Sequence, residues 1–200
     1  MQYPVQPGKS IVVAQNAINH KSNYIDNVGK SVSILNPELT VDLSTADFES
    51  FLGTYLGDVY QYDIQNPAVP DLDIVYWGNG NNDMVLDPSG KLAVAIFKMT
   101  TADLSNLKKY KNPKGDKNLY LQIPNSVLID GVELTKDMGS SYVPKKLASQ
   151  IDGGNTYLST GAYSSKAVIR KTKTTIAGRI ILQDTNNSTN DFVEITPNPR

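Results

Sequence analysis

The longest unbroken apolar run in this chain, Leu92 to Phe97, is six residues. A run of that length makes a strand, but it falls far short of the ~20 residues that span a bilayer as a helix. The other strand-like runs are short too, they are bounded by glycine, proline and asparagine, and they never alternate with long amphipathic segments. A helix-covered parallel sheet is therefore excluded, and the pattern predicts a mainly β chain, an antiparallel β-sandwich with at most two or three short helices. At 200 residues, 40% hydrophobic and 20% charged, the expectation is a single domain over residues 1–200.

The strands can be placed by their β-branched runs and turn residues. Pro7-Gly8 is a turn that feeds a strand over Ser10–Ala14. A polar stretch from Asn16 to Lys30 follows, holding the single histidine, His20. Ser44-Thr-Ala-Asp47 has capping-box spacing, so Ala46, Phe48, Phe51 and Leu52 are expected to form a short helix that Gly53 ends. Pro67 and Pro70 break regular pairing, and order returns as a strand at Ile74–Trp77. Gly78–Asp83 reads as a loop tip and Asp87–Gly90 as a turn. Lys91–Met99 reads as a central strand with both faces apolar, and Thr101–Tyr110 as a short helix or a loop. Leu119–Ile123 and Val127–Val132 are strands separated by a kink at Pro124-Asn125. Ala167–Lys171, Arg179–Leu182 and Phe192–Ile195 bring the count to roughly eight, the spacing of a sandwich or barrel.

Charge and composition exclude several functions. Nineteen basic against twenty acidic residues leave a net charge of −1, without the basic field that neutralises nucleic-acid phosphates. The two basic runs, Lys108-Lys109-Tyr110-Lys111 and Arg170-Lys171-Thr172-Lys173, read as solvated surface. The absence of cysteine removes disulfides, thiolate catalysis and zinc ribbons. The first residues lack the charged and apolar regions of a signal peptide, which alone points to the cytoplasm.

No motif supplies a nucleophile, a metal centre or a phosphate cradle. Gly78-Asn-Gly80-Asn-Asn-Asp83 imitates a dinucleotide fingerprint but has aspartate in place of the third glycine and no βαβ unit after it. Ser105-Asn-Leu-Lys108 has Ser-x-x-Lys spacing without its companion elements. His20 reads as exposed or as a local hydrogen-bond donor. Asp71 and Asp73 would share a face of an extended segment, and solvated edge charges are the expected reading of them. Asp184-Thr-Asn-Asn-Ser-Thr-Asn-Asp191 alternates like the first ligands of a calcium loop. Thr189 then stands where the loop needs glycine, and Ile195 where it needs glutamate. The expectation is a loop tied down by its own side chains, with no metal. The tyrosine-rich stretch Tyr55, Tyr60, Tyr62, Tyr76, Trp77 suits half-buried packing first, and sugar or protein recognition second.

Three strings carry a resemblance: Tyr3 to His20, Val41-Asp-Leu-Ser-Thr-Ala-Asp-Phe-Glu49, and Gly178-Arg with Gln183 to Phe192. Together they resemble an uncharacterised family of Bacteroidetes cell-envelope proteins, a domain of unknown function similar to lamin-tail-like β-sandwiches. The resemblance implies a lamin-tail-like or Ig-like sandwich. It also implies export to the periplasm or cell surface, and strands upstream of this chain's start, which would make the chain a fragment or a gene split from its signal.

The functional expectation is a noncatalytic binding or accessory module of a bacterial surface or uptake complex. Its partner would be an outer-membrane or surface protein, or a glycan, with neither nucleic acid nor a cofactor involved. The candidate contact residues are Tyr76, Trp77, Asn79, Asp184, Asn186, Asn187, Asn190 and Asp191. A carbohydrate-active or metal-dependent hydrolase and a purely structural domain are the alternatives. Two facing carboxylates in a cleft would favour the hydrolase, and an exposed aromatic patch would favour the binding module.

Overall fold

The computed structural model describes residues 5–77, 84, 92–111, 115, 117, 119–136 and 145–199. The chain divides into two compact units, Met1–Val85 with Pro197–Arg200, and Leu86–Thr196. Both are rich in short strands, and among the described residues these pair two by two. Helix among the described residues is limited to three segments of four or five residues and two 3-10 turns. No helix among the described residues is long and apolar enough to cross a membrane.

The first unit opens on the Pro7-Gly8 turn. Gly8 has φ of 79° and the Lys9 N–H donates to the Gln6 carbonyl at 3.0 Å, so proline and glycine occupy the positions they favour in a type II turn. Strand β1 (Val13–Ala14) pairs in parallel with β4 (Phe48–Glu49), and β2 (Tyr24–Ile25) pairs antiparallel with β3 (Ser31–Val32). The helix expected from Ser44–Asp47 does not form there. Asp47 Oδ2 accepts the Val12 N–H at 2.7 Å, and the Asp47 and Phe48 N–H groups donate to the Val12 carbonyl. Pairing beside β1 thus takes the groups a capping box would use. Helix α1 (Gly53–Leu56) instead begins at the glycine expected to end it. Ile74–Trp77 is not a strand, because pairing stops just beyond the isolated Glu49–Asp71 bridge, where the Leu72 N–H donates to the Glu49 carbonyl.

The apolar core of this unit is small: Ala14, Ala17, Ala46 and Val69, with Val12 and Leu43 packed against them. Phe51 and Leu52 are also buried. Three alanines bury little area, so backbone hydrogen bonding must do more, and two-residue strands leave most N–H groups unpaired. Buried side chains take them up. Glu49, fully buried, accepts the Ala17 N–H through Oε2 (2.9 Å) and the Asn66 N–H through Oε1 (2.6 Å). The Asn66 amide donates back to the Ala17 carbonyl at 2.6 Å.

The described residues of the second unit hold four antiparallel pairs: β5 (Ala93–Phe97) with β8 (Leu128–Glu133), β6 (Lys109–Lys111) with β7 (Leu119–Leu121), β9 (Ala167–Arg170) with β12 (Phe192–Ile195), and β10 (Thr172–Ile176) with β11 (Arg179–Leu182). Helix α2 (Thr101–Ser105) is capped by Thr100, whose hydroxyl oxygen accepts the Asp103 N–H. A 3-10 turn at Asn125–Val127 makes the expected kink. Among the described residues strand β5 pairs with β8 alone and leaves Val94 and Ile96 exposed, so it is not the central strand expected. Strands β6 and β10 lie on the two basic runs read as mere surface. Among the described residues of this unit, the buried side chains are all polar: Glu133, Asp152, Thr156, Ser188 and Asp191. Asp152 accepts the N–H groups of Glu133 (2.7 Å), Gly154 (2.9 Å) and Ser188 (2.8 Å), joining β8 and its own turn to helix α3 (Ser188–Asp191).

Candidate functional site

In the first unit a loop over Gly53–Tyr62 is closed at its base by one carboxylate. Asp63, fully buried, accepts the Leu52 N–H through Oδ2 at 2.9 Å, and its own N–H donates to the Tyr60 carbonyl. This is an Ω-type loop, whose ends meet and whose middle is free to make contacts. Inside it, α1 makes a single turn that Gly57 ends at φ of 71°. Gly53 has no room for a side chain: a Cβ there would lie 2.5 Å from the Phe51 ring and 3.0 Å from Val59. The returning segment is pinned by amides. Asn27 Nδ2 donates to the Tyr60 and Asp63 carbonyls, and Asn16 Nδ2 to the Tyr62 carbonyl, each at 2.8 Å.

What this pinned loop offers to solvent is aromatic and aliphatic. Tyr55, Leu56, Val59, Tyr60 and Tyr62 are all exposed, the three tyrosines by about 40% each. The Tyr60 and Tyr62 rings meet edge to face, with centroids 5.7 Å apart. Tyrosine presents large area with few rotatable bonds, and its hydroxyl supplies polarity at the tip. Beside this pair stands Tyr24, whose hydroxyl pKa is raised by burial and then by Tyr62 and Asp26. Of the residues singled out from the sequence in this unit, Tyr76 and Trp77 are half-buried in the irregular stretch past Asp71. Asn79 lies outside the described residues. The loop's signal in the sequence was its tyrosine density; the clasp by Asp63 adjoins the loop, and the pins from Asn16 and Asn27 come from far along the chain.

In the second unit, the Asp184–Asp191 loop is organised by Asp191. This carboxylate is 1% exposed. Oδ2 accepts the Thr185 N–H (2.8 Å) and the Asn187 N–H (3.3 Å), and Oδ1 accepts the Thr185 hydroxyl (2.9 Å) and the Gln183 amide (3.2 Å). Burial alone would raise its pKa, but the donors from Thr185, Gln183 and Asn187 hold it below the ordinary value. Asp191 is therefore committed to the loop and out of a ligand's reach. Asp184 accepts the Asn186 N–H in an Asx-turn (3.1 Å) and pairs with Arg170 at 3.2 Å. Asn186 takes φ of 52° and accepts the Gly153 N–H through its carbonyl. Asn187 packs against Gly154, and the Asn190 carbonyl accepts from Gln183 and Lys171. The five predicted residues do come together, as the tie points of one loop. Arg170 corrects the surface reading of its basic run: half-buried, it also bonds Asp130 at 2.6 Å and covers the Phe192 ring at 5.1 Å.

The other groups considered for chemistry are tied into local structure. The ring of His20 lies 3.1 Å from the Asn16 carbonyl, in reach of a local hydrogen bond. Ser105 donates its hydroxyl to the Thr101 carbonyl of its own helix, and Asp71 accepts the Gln65 amide. Glu49 has a carboxyl pushed up by burial, with Asp71 adding to the rise and the Ala17 and Asn66 N–H groups opposing it. A raised carboxyl is what a general acid needs, yet Glu49 is sealed from solvent and both its oxygens serve the backbone. Among the described residues no three His, Cys, Asp or Glu side chains are grouped to hold a metal ion.

Compared with known proteins, residues 6–198 match one family, described as "Protein of unknown function (DUF4876)". No curated protein and no solved structure matches the chain.

Proposed function

The chain belongs to the DUF4876 family, and from the tyrosine loop of its first unit we propose that it is a noncatalytic recognition module of the bacterial cell envelope, accessory to a surface or uptake complex. The observation that carries this reading is the clasped Gly53–Tyr62 loop, rigid at its base and aromatic at its surface. Binding residues are commonly set on loops positioned by a firm scaffold, and exposed rings gathered on one loop make a contact surface for a protein or a glycan. The commitment of Glu49, Asp152 and Asp191 to backbone N–H groups favours binding over hydrolysis. The finer fold reading, a lamin-tail-like or Ig-like antiparallel sandwich of Bacteroidetes type, belongs to the same proposal. It is supported by the antiparallel sense of five of the six strand pairs among the described residues, and by the resemblance of the Gln183–Phe192 string.

The test is binding of the purified chain to immobilised envelope polysaccharide and to purified outer-membrane proteins, with Tyr55→Ala/Tyr60→Ala/Tyr62→Ala beside the parent. The expected result is parental binding to one of these fractions that falls at least about tenfold in the triple variant, a loss of roughly 1.4 kcal/mol, while the fold is retained. Equal binding by the two proteins, or no binding by either, refutes the proposal.

A further inference from the structure

In the second unit two segments, Asn155–Ser159 and Thr189–Glu194, face each other and are stapled at both ends. At one end the Thr189 hydroxyl donates to the Asn155 carbonyl (2.8 Å) and accepts the Asn155 N–H (3.1 Å). At the other, the Glu194 carboxylate accepts the Ser159 N–H (2.8 Å) and the hydroxyls of Ser159 and Thr160 (2.9 Å each). Between the staples lies a cavity of about 240 Å³, whose walls include Asn155, Tyr157, Ser159, Thr189, Phe192 and Glu194. That is smaller than the ~300–1,000 Å³ of pockets for drug-sized ligands. It has room for one small ring.

The lining selects for chemistry as well as size. Tyr157 and Phe192 supply aromatic surface, while Asn155, Ser159 and Thr189 supply amide and hydroxyl groups. Glu194 is the one charged side chain of this lining among the described residues. Burial would raise its carboxyl, but the donors on Ser159 and Thr160 hold it below its ordinary value, so it is ionised at neutral pH. The donors on Ser159 and Thr160 fix this carboxylate in place, and its charge, half-buried in the wall, attracts an ammonium group and repels a second carboxylate.

We infer that this cavity binds a monosaccharide-sized polyol, that it prefers an amino sugar to the neutral sugar, and that it excludes the matching uronic acid. This site lies in a different unit from the tyrosine loop and stands or falls without it. The test is amide chemical-shift titration of the labelled full chain at neutral pH with glucosamine, glucose and glucuronate. Shifts are expected at Tyr157, Thr189 and Phe192, with glucosamine bound about tenfold tighter than glucose, the scale of a charge-assisted over a neutral hydrogen bond. Glucuronate is expected to leave these amides unmoved. Glu194→Gln should bring glucosamine down to the glucose level, Tyr157→Ala should weaken both, and the tyrosine-loop variant should bind glucosamine and glucose as the parent does and stay unmoved by glucuronate. Should Glu194→Gln unfold, rising salt should erode the parent's preference for glucosamine in the same direction. No response of the pocket amides to any sugar, or glucuronate binding as well as glucosamine, overturns the inference.

Discussion

Asp184 and Asp191 bracket one loop, and the structure assigns them very different contributions to stability. Replacing Asp191 by alanine removes the acceptor of four hydrogen bonds from a site that is 1% exposed. Two of the stranded donors are backbone N–H groups, at Thr185 and Asn187, each costing about 1–3 kcal/mol if left unsatisfied. The Thr185 hydroxyl and Gln183 amide can turn toward water and lose less. The expected cost of Asp191→Ala is therefore about 3–4 kcal/mol. The Asp184 side chain is 55% exposed, with one N–H bond and one ion pair, and Asp184→Ala should cost under about 1 kcal/mol. If the second unit melts by itself, at ~4 °C per kcal/mol for its size, the two variants should separate by roughly 10 °C. Tryptophan fluorescence cannot read this, since Trp77 is the single tryptophan and sits in the first unit. Urea and thermal melts by circular dichroism, with amide exchange at Thr185 and Asn187, are suitable. Equal losses for the two variants, within about 0.5 kcal/mol, would refute the hydrogen-bond reasoning.

Three further predictions follow from the same geometry. Gly154→Ala should cost more than about 2 kcal/mol in chemical denaturation, because its Cβ would overlap Asn187 Oδ1 and lie 2.8 Å from the Thr189 backbone nitrogen. Gly161→Ala meets nothing within 4 Å and should cost only its φ of 81°, about 1–2 kcal/mol. Carboxyl titrations by NMR should place Asp152 and Asp191 below the ordinary 3.8 and Glu49 above 4.5. The first two then contribute stability that is present above pH ~3.8 and lost as pH falls through their folded-state values, while the Glu49 contribution is present below ~4.5 and lost as pH rises through its raised value; a Glu49 midpoint below 4.5 would contradict this. Calcium or a chelator should leave the melting temperature of the parent unchanged, and a calcium-dependent rise that Asp184→Ala abolishes would make the Asp184–Asp191 loop an ion site.

The strands that could be read from the sequence are those whose short apolar runs sit between turn residues: β1, β5, β7, β8, β9, β11 and β12. Those that could not be read have no apolar alternation to find. Every residue of β10 is exposed, and β6 is Lys-Tyr-Lys, so each resembles a solvated basic run until its antiparallel partner is seen. The helix at Ser44–Asp47 failed for a related reason. The acid that would close its capping box, Asp47, is claimed by Val12, 35 positions away, and local spacing carries no trace of that competitor. The Asp184–Asp191 loop was legible as self-tied, because Asx-turns are local; which aspartate ties it was not.

The same reasoning explains why the organising groups of both units were missed. Strands of two residues in the first unit and three to six in the second leave buried N–H groups outside the ladders, and these need other acceptors. Carboxylates suit the task, since each offers two oxygens and a charge that shortens the bond. Glu49 reaches Ala17 across 32 residues, and Asp152 reaches Ser188 across 36. In sequence each is an isolated acid among twenty, indistinguishable from a surface charge. Asp63 acts over a shorter span, 11 residues to Leu52, and its position decides what the tyrosine loop can do. Because the buried clasp fixes the ends of the loop, its closure does not rest on the rings of Tyr55, Tyr60 and Tyr62, which are exposed.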